Sequence, residues 1–146
     1  KNNFLEVKIF KNNHGHIENS HGFKIIYNNK SIVYSGDTTY SKEVVKNAKN
    51  CDILIHEVIA TSKKMRDNNK KLRSVISTHT TISQLSKILN ESNPKLTILN
   101  HALLFGVSEK FVLNEIKESY DGKVIFSKDM MSVDLGDEIN VFNIGN

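Results

Sequence analysis

Three short apolar runs, Ile32-Val33-Tyr34, Cys51 to Ile55 and Leu96 to Leu99, each lead directly into residues with reactive side chains. Cys51 to Ile55 is too apolar for a half-exposed edge and reads as a buried strand. Between the three runs lie stretches with helical signals. Alternation of this kind narrows the chain to a layered α/β fold, in which strand ends gather side chains from distant parts of the sequence.

The remaining segments fit that alternation. Leu5 to Phe10 reads as a strand with Val7 and Ile9 on one face, and the polar stretch Asn12 to Ser20 reads as a loop. Phe23 to Tyr27 and Ser31 to Tyr34 read as a hairpin, because the Asn28-Asn29 pair tolerates positive φ in a tight turn. A helix is expected over Lys42 to Ala48, with Ser41 as its N-cap and Glu43 in its first turn. Thr61 to Arg73 is expected to be part helix and part loop, and Ser83 to Leu89 a helix. Pro94 precedes the strand Leu96 to Leu99, and Ser108 caps a helix running through Ile116 to Ser119. Lys123 to Phe126 and Met131 to Leu135 read as closing strands.

The 146 residues are enough for one domain, and 38% apolar with 25% charged residues supports a buried core rather than disorder. No apolar run approaches the roughly 18 residues of a membrane span. A single cysteine, Cys51, excludes an internal disulfide framework and fits a reducing compartment, so the expected location is cytoplasmic. The chain opens on Lys1 rather than Met and reads as strand by Leu5, from which a piece of a longer protein is expected.

Six histidines are candidates for metal or acid–base chemistry: His14, His16, His21, His56, His79 and His101. Asp37 follows a strand in Ser35-Gly36-Asp37-Thr38, where the glycine permits a sharp turn that holds the carboxylate at the strand tip. Its two oxygens could reach separate divalent ions about 3.5 Å apart, or it could simply cap an ordinary turn. His56-Glu57 and His101 stand at the ends of their apolar runs. His79 precedes a helix, where it could give a proton to a leaving oxygen if Glu57 orients it, or lie exposed at a helix start.

Five stretches in order, HGHIENSHGF, IVYSGDT, CDILIHEV, STHTT and PKLTILNH, resemble the metallo-β-lactamase fold family in its ribonuclease Z-like, phosphodiesterase branch. The tail FGVSEKFVLNEIKESYDGKVIFSKDM is similar to the same branch, so the likeness runs from Val7 to Leu135. The resemblance implies a four-layer αββα sandwich, of which residues 1–146 would be the C-terminal part. It implies metal ligands at His14, Asp37 and His101, with His16 the rival of His14 and Asp37 bridging two ions. His79 would assist leaving-group protonation with Glu57 as its partner, His56 would be structural and His21 a bystander. Two divalent metals, zinc or alternatively manganese, are implied as cofactors. The implied partners are a phosphodiester substrate, RNA among the candidates, and a second copy in a homodimer, with no membrane.

Two departures qualify those implications. The family's H-x-H-x-D-H cluster, which supplies most ligands and the acid that activates water, is absent from these 146 residues. Three ligands are too few to close two metal sites, so the activity is expected of the longer parent protein. Ala102-Leu-Leu-Phe-Gly106 after His101, and Thr78-His79-Thr80-Thr81 in place of Gly-His-Ser-Thr, depart from the tRNA-processing members and leave the hydrolase class standing. Sulfate-ester or lactone hydrolysis on the same scaffold is an alternative. So is a non-catalytic half-domain that binds a partner or nucleic acid through an exposed apolar face.

Lys63, Lys64, Arg66, Lys70, Lys71 and Arg73 oppose a single acid, Asp67, and could track a nucleic-acid backbone or form a solvated loop. No aromatic residue interleaves the run, so it offers no platform for base stacking.

Overall fold

A computed structural model describes residues 4–143. Strands β1 (Glu6–Lys11), β2 (His21–Tyr27) and β3 (Lys30–Tyr34) form an antiparallel meander. Asn28 and Asn29 both take positive φ, 49° and 62°, as the tight β2–β3 turn requires. Helix α1 (Lys42–Ala48) then carries the chain to β4 (Ile53–Thr61), which pairs parallel to β3. Ser41 caps α1 by accepting from the Val44 amide.

Three helices, α2 (Lys63–Asn68), α3 (Lys70–Ile76) and α4 (Ile82–Ser92), connect β4 to its parallel neighbour β5 (Leu96–Phe105). Helix α5 (Glu109–Lys117), capped by Ser108, leads to the short parallel strand β6 (Val124–Phe126). The six strands lie in sequence order, and β7 (Met131–Leu135) and β8 (Ile139–Asn143) form a separate antiparallel ribbon. Among the described residues, no helix is long and apolar enough to cross a membrane.

The two faces of the sheet are covered unequally. On one, Phe10, Val33, Leu54, Leu99 and Phe126 pack with Val44, Leu85, Ile88, Leu89, Val112 and Ile116 from α1, α4 and α5. Leu85, Ile88 and Leu89 are fully buried, each contributing about 1.5–3 kcal/mol through its removal from water. On the other face the β7–β8 ribbon covers Ile53, Leu96 and Ile98 through Met131, Val133, Leu135, Ile139 and Val141. Beyond the ribbon the same face is bare: Val7, Ile9 and Phe23 are 52%, 66% and 38% exposed. Val7 and Ile9 do share a face, and that face is open to solvent.

One expectation needs correction. The apolar runs do not end at Glu57 and His101; β4 and β5 continue to Thr61 and Phe105. Between the pairs His56–Leu99 and Val58–Ala102, one residue of β4 faces two of β5, a bulge in a parallel ladder. The extra residue is accommodated by His101 at φ 43°, a left-handed conformation seldom taken by residues with a side chain. The polar residues mark the bulge, not the strand ends.

Candidate functional site

Sheet register gathers the polar residues. Tyr34 pairs with Ile55, and Ile55 with Ile98. Asp37, Glu57 and His101 each follow these aligned positions by two or three residues, so they stand side by side, Asp37 just past the end of β3 and the other two at the bulge between β4 and β5.

Gly36, at φ 63°, makes the turn that presents Asp37, and a Cβ there would collide with the His21 carbonyl oxygen. Asn12 Nδ2 donates to the Ser35 and Asp37 carbonyls at 2.6 and 3.2 Å, while Ser20 Oγ donates to the Asp37 carbonyl at 3.0 Å. The loop after β1 is thus stitched to the loop after β3.

His79 and Glu57 form a buried pair. His79 is 8% exposed and Glu57 1%, and Nδ1 of the ring lies 2.9 Å from Glu57 Oε1. Oε1 also accepts the Thr38 amide at 2.9 Å. With the carboxylate accepting, Nδ1 carries a proton and Nε2 is the ring atom left for exchange. Burial pushes the Glu57 carboxyl up to about 8, with the Thr38 amide opposing and the nearby Asp37 charge adding to the rise. The second oxygen of this carboxylate, Oε2, is buried and makes no hydrogen bond. Burial likewise lowers the His79 pKa, aided by His14. His79 is therefore not a solvent-exposed residue at a helix start.

Two more rings flank His79: His14 at 4.9 Å between centroids and His101 at 5.6 Å. His14 Nδ1 lies 2.7 Å from the Thr78 carbonyl, which can only accept, so Nδ1 is the donor and Nε2 is the nitrogen left for another partner. Metal-binding imidazoles commonly have their second nitrogen tied in this way. His101 Nε2 faces Asp37 Oδ2 at 3.5 Å. Neutral imidazole and carboxylate are the donors that zinc and manganese accept, so these three residues suit the edge of a metal site in kind. In number they fall short: among the described residues, no three His, Cys, Asp or Glu side chains are gathered as a complete metal-holding group. Among the same residues, the side chains of His16 and His21 make no hydrogen bond and both residues are exposed.

His56 is fully buried, and its Nδ1 donates to the Glu57 carbonyl at 2.7 Å, beside the bulge. Burial lowers its pKa from 6.5 to about 4. The unfolded chain therefore takes up this proton first: stability is full above about pH 6.5, falls toward pH 4 and levels off below it. The fall attributable to His56 is about 3 kcal/mol. Urea midpoints between these pH values should show it in the native chain and lose that share in His56→Asn, which keeps a donor near Nδ1 without titrating.

Several supporting residues carried no signal in the sequence. Thr38 is fully buried and joins three segments, donating its amide to Glu57, accepting the Thr80 hydroxyl at 2.5 Å and exchanging hydrogen bonds with Asn13. Thr80 also accepts the Ile59 amide through its carbonyl, and Thr81 with Gln84 forms a capping box that starts α4 directly behind His79. A threonine beside Gly36-Asp37, or S/T-x-x-Q after a histidine, hints at a turn and a cap but not at these contacts.

Comparison with known proteins adds to this geometry. The sequence profile of the β-lactamase superfamily domain matches residues 2–102. Ribonuclease Z of Archaeoglobus fulgidus is 28% identical over 107 residues, covering 73% of this chain and 33% of that protein. Ribonuclease Z of Picrophilus torridus is 29% identical over 115 residues, covering 79% and 35%. Among solved structures, the metallo-β-lactamase fold protein YhfI from Bacillus subtilis superposes with a TM-score of 0.66 at 20% identity, covering 85% of this chain and 47% of that one. Human tRNase Z, short form, gives 0.56 at 21% identity, covering 88% and 42%. The chain spans about a third of the length of the curated relatives it matches.

Proposed function

The chain belongs to the β-lactamase superfamily and has the α/β fold of its metallo-β-lactamase proteins, and from that premise we propose that it is the C-terminal half of a metal-dependent phosphodiesterase. The observation that carries this reading is the buried His79–Glu57 pair beside His14 and the facing His101 and Asp37. A scaffold has no use for two carboxylates and three imidazoles gathered together, and burying the His79–Glu57 pair is costly.

His14, Asp37 and His101 would hold two divalent ions, zinc or manganese, together with ligands from the rest of the protein. When bound, such ions make water nucleophilic at neutral pH and stabilise charge on the attacked group. This chain's residues do the remaining work. The water oxygen would form the new P–O bond as the water gives up a proton to an acidic residue from the rest of the protein. The P–O bond to the leaving group would break, and His79 would deliver a proton from Nε2 to the departing oxygen. Glu57 orients the ring through Nδ1. Thr38 fixes the Glu57 carboxylate, and Asn12 fixes the backbone that carries Asp37.

The relatives named ribonuclease Z support RNA as the phosphodiester. Thr78-His79-Thr80-Thr81 and the apolar residues after His101 argue against equating it with tRNA end processing. The bare face around Val7, Ile9 and Phe23 supports a further sheet packed against it, as a sandwich needs. That face would equally serve a non-catalytic binding half-domain, a reading the buried His79–Glu57 pair disfavours. We place the whole protein in the cytoplasm as a homodimer, an assembly that light scattering reads directly.

The test is a panel of phosphodiester, sulfate-ester and lactone substrates offered to the whole protein. Phosphodiester turnover is expected. Turnover of sulfate esters or lactones without phosphodiesters would overturn the substrate assignment.

A further inference from the structure

Residues 63–73 carry six cations and one acid, a net charge of +5 in a chain whose total is +4. The rest of the protein is therefore slightly acidic, and the positive charge is concentrated in helices α2 and α3. All six cations are exposed, and only Arg66 has an acidic partner among the described residues, Asp67 at 3.7 Å. Arg66, Asp67, Arg73 and Ile76 line an open concavity of about 430 Å³, with Arg73 Nη2 donating to the Asp67 carbonyl at 3.2 Å. The segment is ordered into two capped helices, so its charges are displayed on a folded arm rather than on a free loop.

One root of this arm lies at the end of β5, the strand that carries His101, and the other lies close to His79. At its start the Ser62 amide donates to the Phe105 carbonyl at 2.8 Å, tying α2 to the end of β5. At its finish α3 ends at Ile76, and the chain reaches His79 in three residues, a span of at most roughly 11 Å. Thr78 between them is held by His14. Leu72 is the only buried residue of the two helices, so the arm's outer surface is left to its lysines and arginines.

We propose that the α2–α3 arm is the surface that tracks the phosphate backbone of an RNA strand and guides it to His79. This rests on the phosphodiesterase reading above and adds the RNA-binding surface that reading lacks. Lysine and arginine without interleaved aromatics bind phosphates and read no bases, so binding is sequence-tolerant and falls with salt.

The test measures fluorescence anisotropy of a labelled single-stranded RNA with the whole protein across a salt series. The arm variant is Lys63→Ser, Lys64→Ser, Lys70→Ser and Lys71→Ser combined. A comparison variant of equal charge change carries Lys110→Ser, Lys117→Ser, Lys123→Ser and Lys128→Ser, which lie on or after α5. The arm variant should bind about tenfold or more weakly near 0.1 M salt, and its salt slope should fall by about 0.7 for each phosphate it no longer neutralises. Its turnover of bis(p-nitrophenyl) phosphate should match the native protein, since none of the four lysines belongs to the site. Unchanged RNA binding in the arm variant, or an equal weakening in the comparison variant, would overturn the proposal. If the native protein fails to cleave bis(p-nitrophenyl) phosphate, the hydrolase reading fails, while RNA binding still decides the arm's role.

Discussion

Replacing His79 by alanine in the whole protein should leave its metal content intact and lower kcat by about 10²–10⁴-fold, the range associated with losing a positioned proton donor. The expectation rests on the geometry of one side chain. Nδ1 is committed to Glu57 Oε1 at 2.9 Å, and that oxygen is itself fixed by the Thr38 amide. The ring therefore has one nitrogen available for proton transfer and one orientation in which to use it. Glu57→Gln should lose less, because the amide oxygen can still accept from Nδ1 and keep the ring oriented. The effect should also depend on the leaving group: a substrate whose departing oxygen needs no proton, such as a nitrophenolate, should suffer less in His79→Ala than one departing as an alkoxide. Full activity toward both would remove His79 from the mechanism.

Asp37→Ala and His101→Ala should behave in the opposite sense, releasing metal and taking turnover with it. Asp37 Oδ2 and His101 Nε2 stand 3.5 Å apart with both side chains accessible, an arrangement in which each could ligate and neither is needed for packing. Changing a residue that merely orients a ligand costs about 10–100-fold in metal affinity, and removing a ligand itself should cost at least that. Elemental analysis of the whole protein should find about two ions per chain in the native form and fewer in either variant. The folded state should survive, since Gly36, Asn12 and Ser20 hold the Asp37 backbone without its carboxylate. Native metal content in Asp37→Ala would deny it the bridging role. The two experiments separate roles that proximity alone cannot, because His79 lies between His14 and His101.

Local signals in the sequence proved the most legible. Ser41 and Ser108 cap the helices they should, and Asn28-Asn29 makes the turn its backbone tolerance suggests. These features depend on neighbours within a few residues, where side-chain chemistry acts directly on the backbone. The alternation of strands and helices was legible from the apolar runs and the helical signals between them, while the parallel pairing of β3, β4 and β5 came only with the structure. What could not be read were features that exist only once strands are paired. The bulge opposite Glu57 and the left-handed backbone of His101 depend on how β4 registers against β5. The hydrogen bond from His14 to Thr78 joins residues 64 apart, and Thr38 draws its importance from partners on three other segments. For the candidate site, residue identities were visible and their support was not. The basic stretch shows the same limit, since composition could not distinguish a loop from a pair of helices rooted beside His79.

The central claim is that the edge formed by His14, Asp37, His79 and His101 serves a metal-dependent phosphodiesterase. Its most direct test is turnover of bis(p-nitrophenyl) phosphate by the whole protein as isolated, after metal removal with a chelator, and after addition of zinc or manganese. Turnover should disappear with the metal and return with one of these ions. Turnover that persists undiminished in the metal-free protein, or none with any of them, would contradict it.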